Sequence, residues 1–193
     1  GLHGAYLQFD GTNEDTNSHR GVGNLFDVKL QAIENMADAG MKTTLVTTIV
    51  NGVNNKGIGS IVDFAIRNID KIQTIAFQPV SFTGRDEEVE DATRYAQRYT
   101  LSQMTQDLNG QLQADWESLR DWFPLSSYSA FTSVMDLLQG ADAPWGWSAC
   151  NCHPNCGIFS ILVVNRRTNE WSPLFKFFDY EQFIRDVAII TDT

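Results

Sequence analysis

The chain has 193 residues, 42% hydrophobic and 20% charged, the balance of a folded domain rather than a disordered segment. Its 14 Lys and Arg against 24 Asp and Glu leave a net charge of −10, which argues against a surface built to wrap nucleic acid or anionic lipid. No apolar run approaches the roughly 20 residues of a membrane helix, and the opening Gly-Leu-His-Gly lacks the regions of a signal peptide, so a cytoplasmic protein is expected.

Residues 5–10 (AYLQFD) alternate apolar with polar and predict a strand. A loop to Gly23 follows, and from Asn24, a plausible N-cap, Leu25, Val28, Ala32, Ile33, Met36 and Ala37 keep amphipathic helical spacing until Gly40. Residues 43–55 (TTLVTTIVNGVNN) are a β-branched strand running into a Gly/Asn turn. Ile58, Ile61, Val62, Ala65, Ile66 and Ile69 repeat the helical stripe, and residues 74–80 (TIAFQPV) are a third strand whose Pro79 cannot donate to a ladder. Strand, helix, strand, helix, strand at this spacing implies parallel pairing, either in part of a β/α barrel or in a small doubly wound sheet.

The acidic run 86–91 reads as a solvated loop or a helix start. Residues 101–112 and 116–122 predict helices, the first with a capping pattern at Thr100 or Ser102, and 126–138 a further helix stopped by Gly140. Residues 159–164 and 171–178 predict two strands of a hairpin joined by Asn165 to Asn169, and 180–190 a closing helix.

Two constellations carry chemistry. The three strand ends present Gln8 and Asp10, then Thr48, Asn51 and Asn54, then Gln78 and Ser81. Carboxamides and a carboxylate at one end of adjacent parallel strands can hold hydroxyls, an amino acid group or a purine edge; they can equally cap the strands and satisfy loop backbone. All three cysteines fall within seven residues, Cys150, Cys152 and Cys156, with His153 among them. An odd, clustered set suits a soft metal or an iron-sulfur cluster better than a disulfide framework, with merely redox-sensitive thiols as the other reading.

The segments LQFDG (7–11), LVTTIVNGVNNKGIGSIVDFAI (45–66), FQPVSFTGR (77–85), CHPNCG (152–157) and SPLFKFFDYEQFI (172–184) together resemble the carboxyl-terminal half of radical S-adenosylmethionine enzymes. The branch is the one containing methanopterin-type pterin methylases and tetraether lipid synthases. The resemblance implies an α/β fold: the later part of a partial, TIM-like (β/α) barrel at 1–100, a helical segment at 101–145, and a small α+β cysteine-containing extension at 146–193. It implies S-adenosylmethionine across the strand ends, with Gln8 and Asp10 near ribose and methionine, Thr48, Asn51 and Asn54 near the amino acid group and ribose, and Gln78, Pro79 and Val80 beside the adenine. It makes Cys150, Cys152 and Cys156 ligands of an auxiliary iron-sulfur cluster, distinct from the radical-forming [4Fe-4S] cluster held outside this chain.

The radical-forming cluster of that family rests on a CxxxCxxC motif, which this sequence lacks. The chain is therefore expected to be a piece of a longer enzyme whose amino-terminal half carries the motif, working by a 5'-deoxyadenosyl radical in methylation or carbon-carbon coupling at an unactivated carbon. A non-catalytic metal-binding or docking module derived from the fold is the alternative. Expected partners are the missing half of the same protein and a small-molecule or lipid-like substrate. A second copy of the chain could cover an open sheet edge; no membrane span and no nucleic acid are expected.

Overall fold

A computed structural model describes residues 2, 4–13, 25–82, 89–117, 120–140 and 157–191. They fall into two compact units, Gly1–Ala114 with Arg166–Asn169, and Asp115–Asn165 with Glu170–Thr193. The boundary lies inside the stretch 101–145.

The first unit is built on three parallel strands, β1 (Gly4–Gln8), β2 (Lys42–Ile49) and β3 (Ile72–Pro79), in the order β1-β2-β3. Helix α1 (Leu25–Asp38) connects the first pair and α2 (Ile58–Arg67) the second. Gly40, in the left-handed region at φ +73, ends α1, with Met41 N donating to Met36 O at 2.9 Å. Both helices pack on the same side of the sheet, because Ile33 of α1 and Ile61 and Ala65 of α2 share one apolar cluster with Phe9, Leu45 and Ile72.

Strand periodicity then sorts the side chains. Leu7, Phe9, Leu45, Ile75 and Phe77 belong to the helix-side cluster. Residues of opposite parity, Tyr6, Gln8, Thr44, Val46, Thr48, Thr74, Ala76 and Gln78, lie on the other face, and the register sets Tyr6 beside Thr44, Thr44 beside Thr74, and Thr48 beside Gln78. That face is small and polar, and Tyr6, Thr74 and Gln78 on it are exposed.

Past β3, the last residue of the acidic run starts a helix, α3 (Asp91–Gln97), the second of the two readings given for that run. Helix α4 (Leu101–Leu112) begins as predicted, and its cap is Thr100: Gln103 N donates to Thr100 Oγ1 at 3.2 Å while Thr100 N donates to Gln103 Oε1 at 2.9 Å.

The second unit is aromatic. Phe123, Phe175 and Tyr180 are buried together, with ring centroids 4.4 Å apart for Phe123 and Tyr180 and 4.6 Å for Phe175 and Tyr180. Around them stand β4 (Phe123–Pro124) paired antiparallel with β5 (Ile158–Phe159), helix α5 (Tyr128–Gln139), the hairpin β6 (Leu162–Val164) with β7 (Trp171–Pro173), and α6 (Tyr180–Thr191). Three expectations are corrected here. The stretch 116–122 is not a helix in its described residues; the buried carboxylate of Asp121 accepts from Glu117 N at 2.9 Å and from Arg120 Nε at 2.9 Å, folding the chain back on itself. The strand read over 159–164 is two short strands separated at Ser160–Ile161. The strand read over 171–178 stops at Pro173 and becomes a 3-10 turn, Leu174–Lys176. No helix among the described residues is long and apolar enough to cross a membrane.

Leu45 on the central strand is completely buried, so Leu45→Ala is expected to cost about 2–5 kcal/mol in urea unfolding. Tyr6→Thr, on the open face and 81% exposed, is expected to stay within about 0.5 kcal/mol of the parent.

Candidate functional site

The ends of the three strands and the turn after β2 bring the predicted polar residues into one neighbourhood. Gln8 donates through Nε2 to Asp10 Oδ1 at 2.6 Å and lies 3.5 Å from Thr48 Oγ1, and the same Asp10 oxygen accepts from Thr48 N at 3.4 Å. β1 and β2 are thus tied by side chains just where their ladder ends. The register places Gln78 directly beside Thr48. Gln78 is exposed, and its carboxamide has no hydrogen-bond partner among the described residues. Val80 N donates to Ile49 O at 2.9 Å, which carries the pairing one residue past Pro79.

Asn54 behaves differently from its neighbours. It is buried, and its side chain is fully committed to backbone: Oδ1 accepts from Val50 N at 2.9 Å, and Nδ2 donates to Thr48 O at 2.8 Å and Asp10 O at 3.3 Å. This one carboxamide holds the outgoing turn of β2 against the end of β1. Asn51 is also engaged, its N and Nδ2 donating to Gln97 O at 3.1 Å and Ala96 O at 3.0 Å. Those carbonyls are the last of α3, so the turn caps that helix.

Three residues that the sequence reading missed, Asp107 and Gln111 on α4 and Tyr99 just before it, stiffen the turn. Asn55 Nδ2 donates to Asp107 Oδ2 at 3.2 Å, and Tyr99 OH donates to the same oxygen at 2.7 Å. Gln111 Nε2 donates to Asn55 O at 2.8 Å while its Oε1 accepts from Gly59 N at 2.8 Å. Only glycine fits at 59, since a Cβ there would stand 2.8 Å from Gln111 Cβ. The available signal was the pair Asp107 and Gln111, four residues apart and therefore on one helix face. Burial pushes the Tyr99 phenol up from its usual pKa, and the Asp107 carboxylate pushes the same way.

The cysteine stretch lies outside the described residues, as do His153, Trp145 and Trp147. Among the described residues no group of three His, Cys, Asp or Glu is placed to hold a metal ion. Gly157, just after the cysteines, accepts from Leu125 N at 2.8 Å. Trp171, on β7, packs on Trp116 with centroids 5.2 Å apart.

With the site built, comparison gives it a relative. Over 188 residues the chain is 31% identical to the 7,8-dihydro-6-hydroxymethylpterin dimethyltransferase of Methanocaldococcus jannaschii, a match covering 97% of this chain and 35% of that protein. The chain thus spans about a third of the relative's length and is related to a pterin methylase, in line with the resemblance drawn from the motifs. No family model matches it.

Asn54→Ala strips three backbone groups of their partner, and a loss of about 1–3 kcal/mol is expected in chemical unfolding. Gln78→Ala should leave stability within about 0.5 kcal/mol. Because the folded-state pKa of Tyr99 is raised, its contribution is complete below the ordinary tyrosine value of about 10 and is lost as pH rises beyond it. The melting temperature is accordingly expected to fall above about pH 10, and less steeply in Tyr99→Phe.

Proposed function

We infer that this chain is the later part of a partial (β/α) barrel of the radical S-adenosylmethionine type and serves a methyltransferase acting on a reduced pterin or a comparable small ring. The observation that carries the reading is the sheet face turned away from the two helices, whose strand ends bring together Gln8, Thr48 and Gln78, one from each strand: Thr48 pairs in register with Gln78, and Gln8 Nε2 lies 3.5 Å from Thr48 Oγ1. The relative's substrate class supplies the acceptor.

S-adenosylmethionine offers a charged amino acid group, ribose hydroxyls and a purine edge, and each needs both donors and acceptors. A carboxamide provides both. The Gln78 side chain, without a hydrogen-bond partner among the described residues, fits that demand, with Pro79 and Val80 beside it as an apolar rest for adenine. Gln8 and Thr48 take the ribose and methionine portion, and Asp10 orients Gln8. Asn51 and Asn54 serve the same site indirectly, by fixing the backbone on which Thr48 stands.

Cys150, Cys152 and Cys156 would hold an auxiliary iron-sulfur cluster, for which thiolates at this spacing are the suitable donors. Bound beside a reduced cluster, S-adenosylmethionine would supply the 5'-deoxyadenosyl radical, with methionine as the other product. The part played by this chain is to orient the cofactor and keep water from it. The CxxxCxxC motif that such chemistry needs belongs, in this reading, to sequence corresponding to the remainder of the relative.

Titration with S-adenosylmethionine is expected to show saturable binding that Thr48→Val and Gln78→Ala each weaken by about tenfold, equivalent to about 1.4 kcal/mol. Binding indifferent to both substitutions would sink the reading. After anaerobic reconstitution, iron counted per chain should drop in Cys152→Ser.

A further inference from the structure

The turn after β2 contains a dipeptide that reacts with itself. Asn51 is followed by Gly52, and a glycine has no side chain to shield its backbone nitrogen from the amide carbon of the residue before it. Gly52 N can therefore attack Asn51 Cγ. The C–N bond to the side-chain amide breaks, ammonia leaves, and a five-membered succinimide closes; the attack is intramolecular and draws on proximity alone. Water then opens the ring at either carbonyl, leaving aspartate or isoaspartate. One amide and one water give one carboxylate and one ammonia, with no oxidant, reductant or metal involved.

Both reacting groups are occupied in the folded chain. Gly52 N donates to Asn55 Oδ1 at 2.8 Å, so the proton that must leave before attack is held in a hydrogen bond. Asn51 Nδ2 donates to Ala96 O at 3.0 Å and Asn51 N to Gln97 O at 3.1 Å, which turns the side chain toward the end of α3. That anchor is weak. Helix α3 has seven residues and none of them is buried, the properties of a segment that opens locally at low cost. Asn51 is half-buried and Gly52 exposed, so water reaches both.

The second Asn-Gly pair of the chain, Asn109 and Gly110, is secured differently. It lies inside α4, where the backbone N–H of Gly110 is a helical donor, and α4 is fixed by the Thr100 capping box and by buried Met104 and Leu108.

We propose that Asn51 with Gly52 is a deamidation site gated by α3, closed while the helix is docked and reactive when it opens, whereas Asn109 stays intact. The conversion is one-way. A carboxylate at 51 cannot donate to Ala96 O and stands at the negative end of α3, and isoaspartate adds a main-chain atom to the turn that Asn54 and Asn55 define. The site is independent of the cofactor reading above.

The test is peptide mass mapping of the whole chain incubated at mildly alkaline pH, with the same chain unfolded in urea as the reference. Conversion at 51 is expected to be slower in the folded chain than in the unfolded one, and conversion at 109 slower still. Tyr95 is 77% exposed; Tyr95→Gly, which weakens α3, should speed conversion at 51 about fivefold and leave 109 unchanged. Asn55→Ala, which frees Gly52 N, should speed it up to about tenfold. Asn51→Asp should raise amide hydrogen exchange across α3. Conversion at 51 as fast in the folded as in the unfolded chain, a rate untouched by Tyr95→Gly, or conversion at 109 ahead of 51 overturns the proposal.

Discussion

The side chain of Asn54 is the constraint on which the candidate site depends. Parallel strands end with backbone groups that no further ladder can satisfy, and leaving such groups buried without partners costs about 1–3 kcal/mol each. One carboxamide meets this at Val50 N, Thr48 O and Asp10 O together, and it does so across two strands. β1 and β2 therefore stop at a fixed offset, and Gln8, Asp10 and Thr48 come within hydrogen-bonding reach. An apolar residue at 54 would leave the strands paired but their ends undefined.

The sheet divides labour between its faces. Leu45 and Ile49 point to the helices and are fully buried, whereas Thr44, Val46 and Thr48 point away. Thr43 and Thr47 are polar members of the helix side, and Thr47 is accommodated because its Oγ1 donates to Phe9 O at 2.6 Å. The hydroxyl thereby ties β2 to the continuation of β1 from inside the core. Stability is thus concentrated on one face, and the other can be shaped for ligands at small cost.

How far the sequence could be read follows from where the signal is local. Ile33, Ile61 and Ala65 recur at helical spacing because one face of each helix is buried, and Leu45 and Ile49 sit in a β-branched run; helices and strands of the first unit follow from that. The polar ends Gln8, Thr48 and Gln78 were also visible, since strand ends are marked by turn residues. Their division into exposed and committed groups was not, because what commits Asn54 and Asn51 includes carbonyls more than 40 residues away, those of Asp10 and Ala96. In the second unit the local pattern misled at 116–122, where the apolar spacing of Trp116 and Trp122 suggests a helix but the ring pair they form, 5.0 Å apart, is made across a loop closed by Asp121. The strand over 171–178 was read too long because its aromatic residues promote strands, while Pro173 ends the ladder after three residues.

The turn 51–55 joins these observations. Its first residue caps α3, its fourth fixes the ends of β1 and β2, and its fifth is held by Asp107 and Gln111 of α4. A five-residue segment with each of these carboxamides in a hydrogen bond to a different element has little freedom left, so a group bound at Thr48 would meet a rigid support. A displacement of α3 must break the bonds from Asn51 or drag the turn with it, and through Asn54 the end of β1 as well.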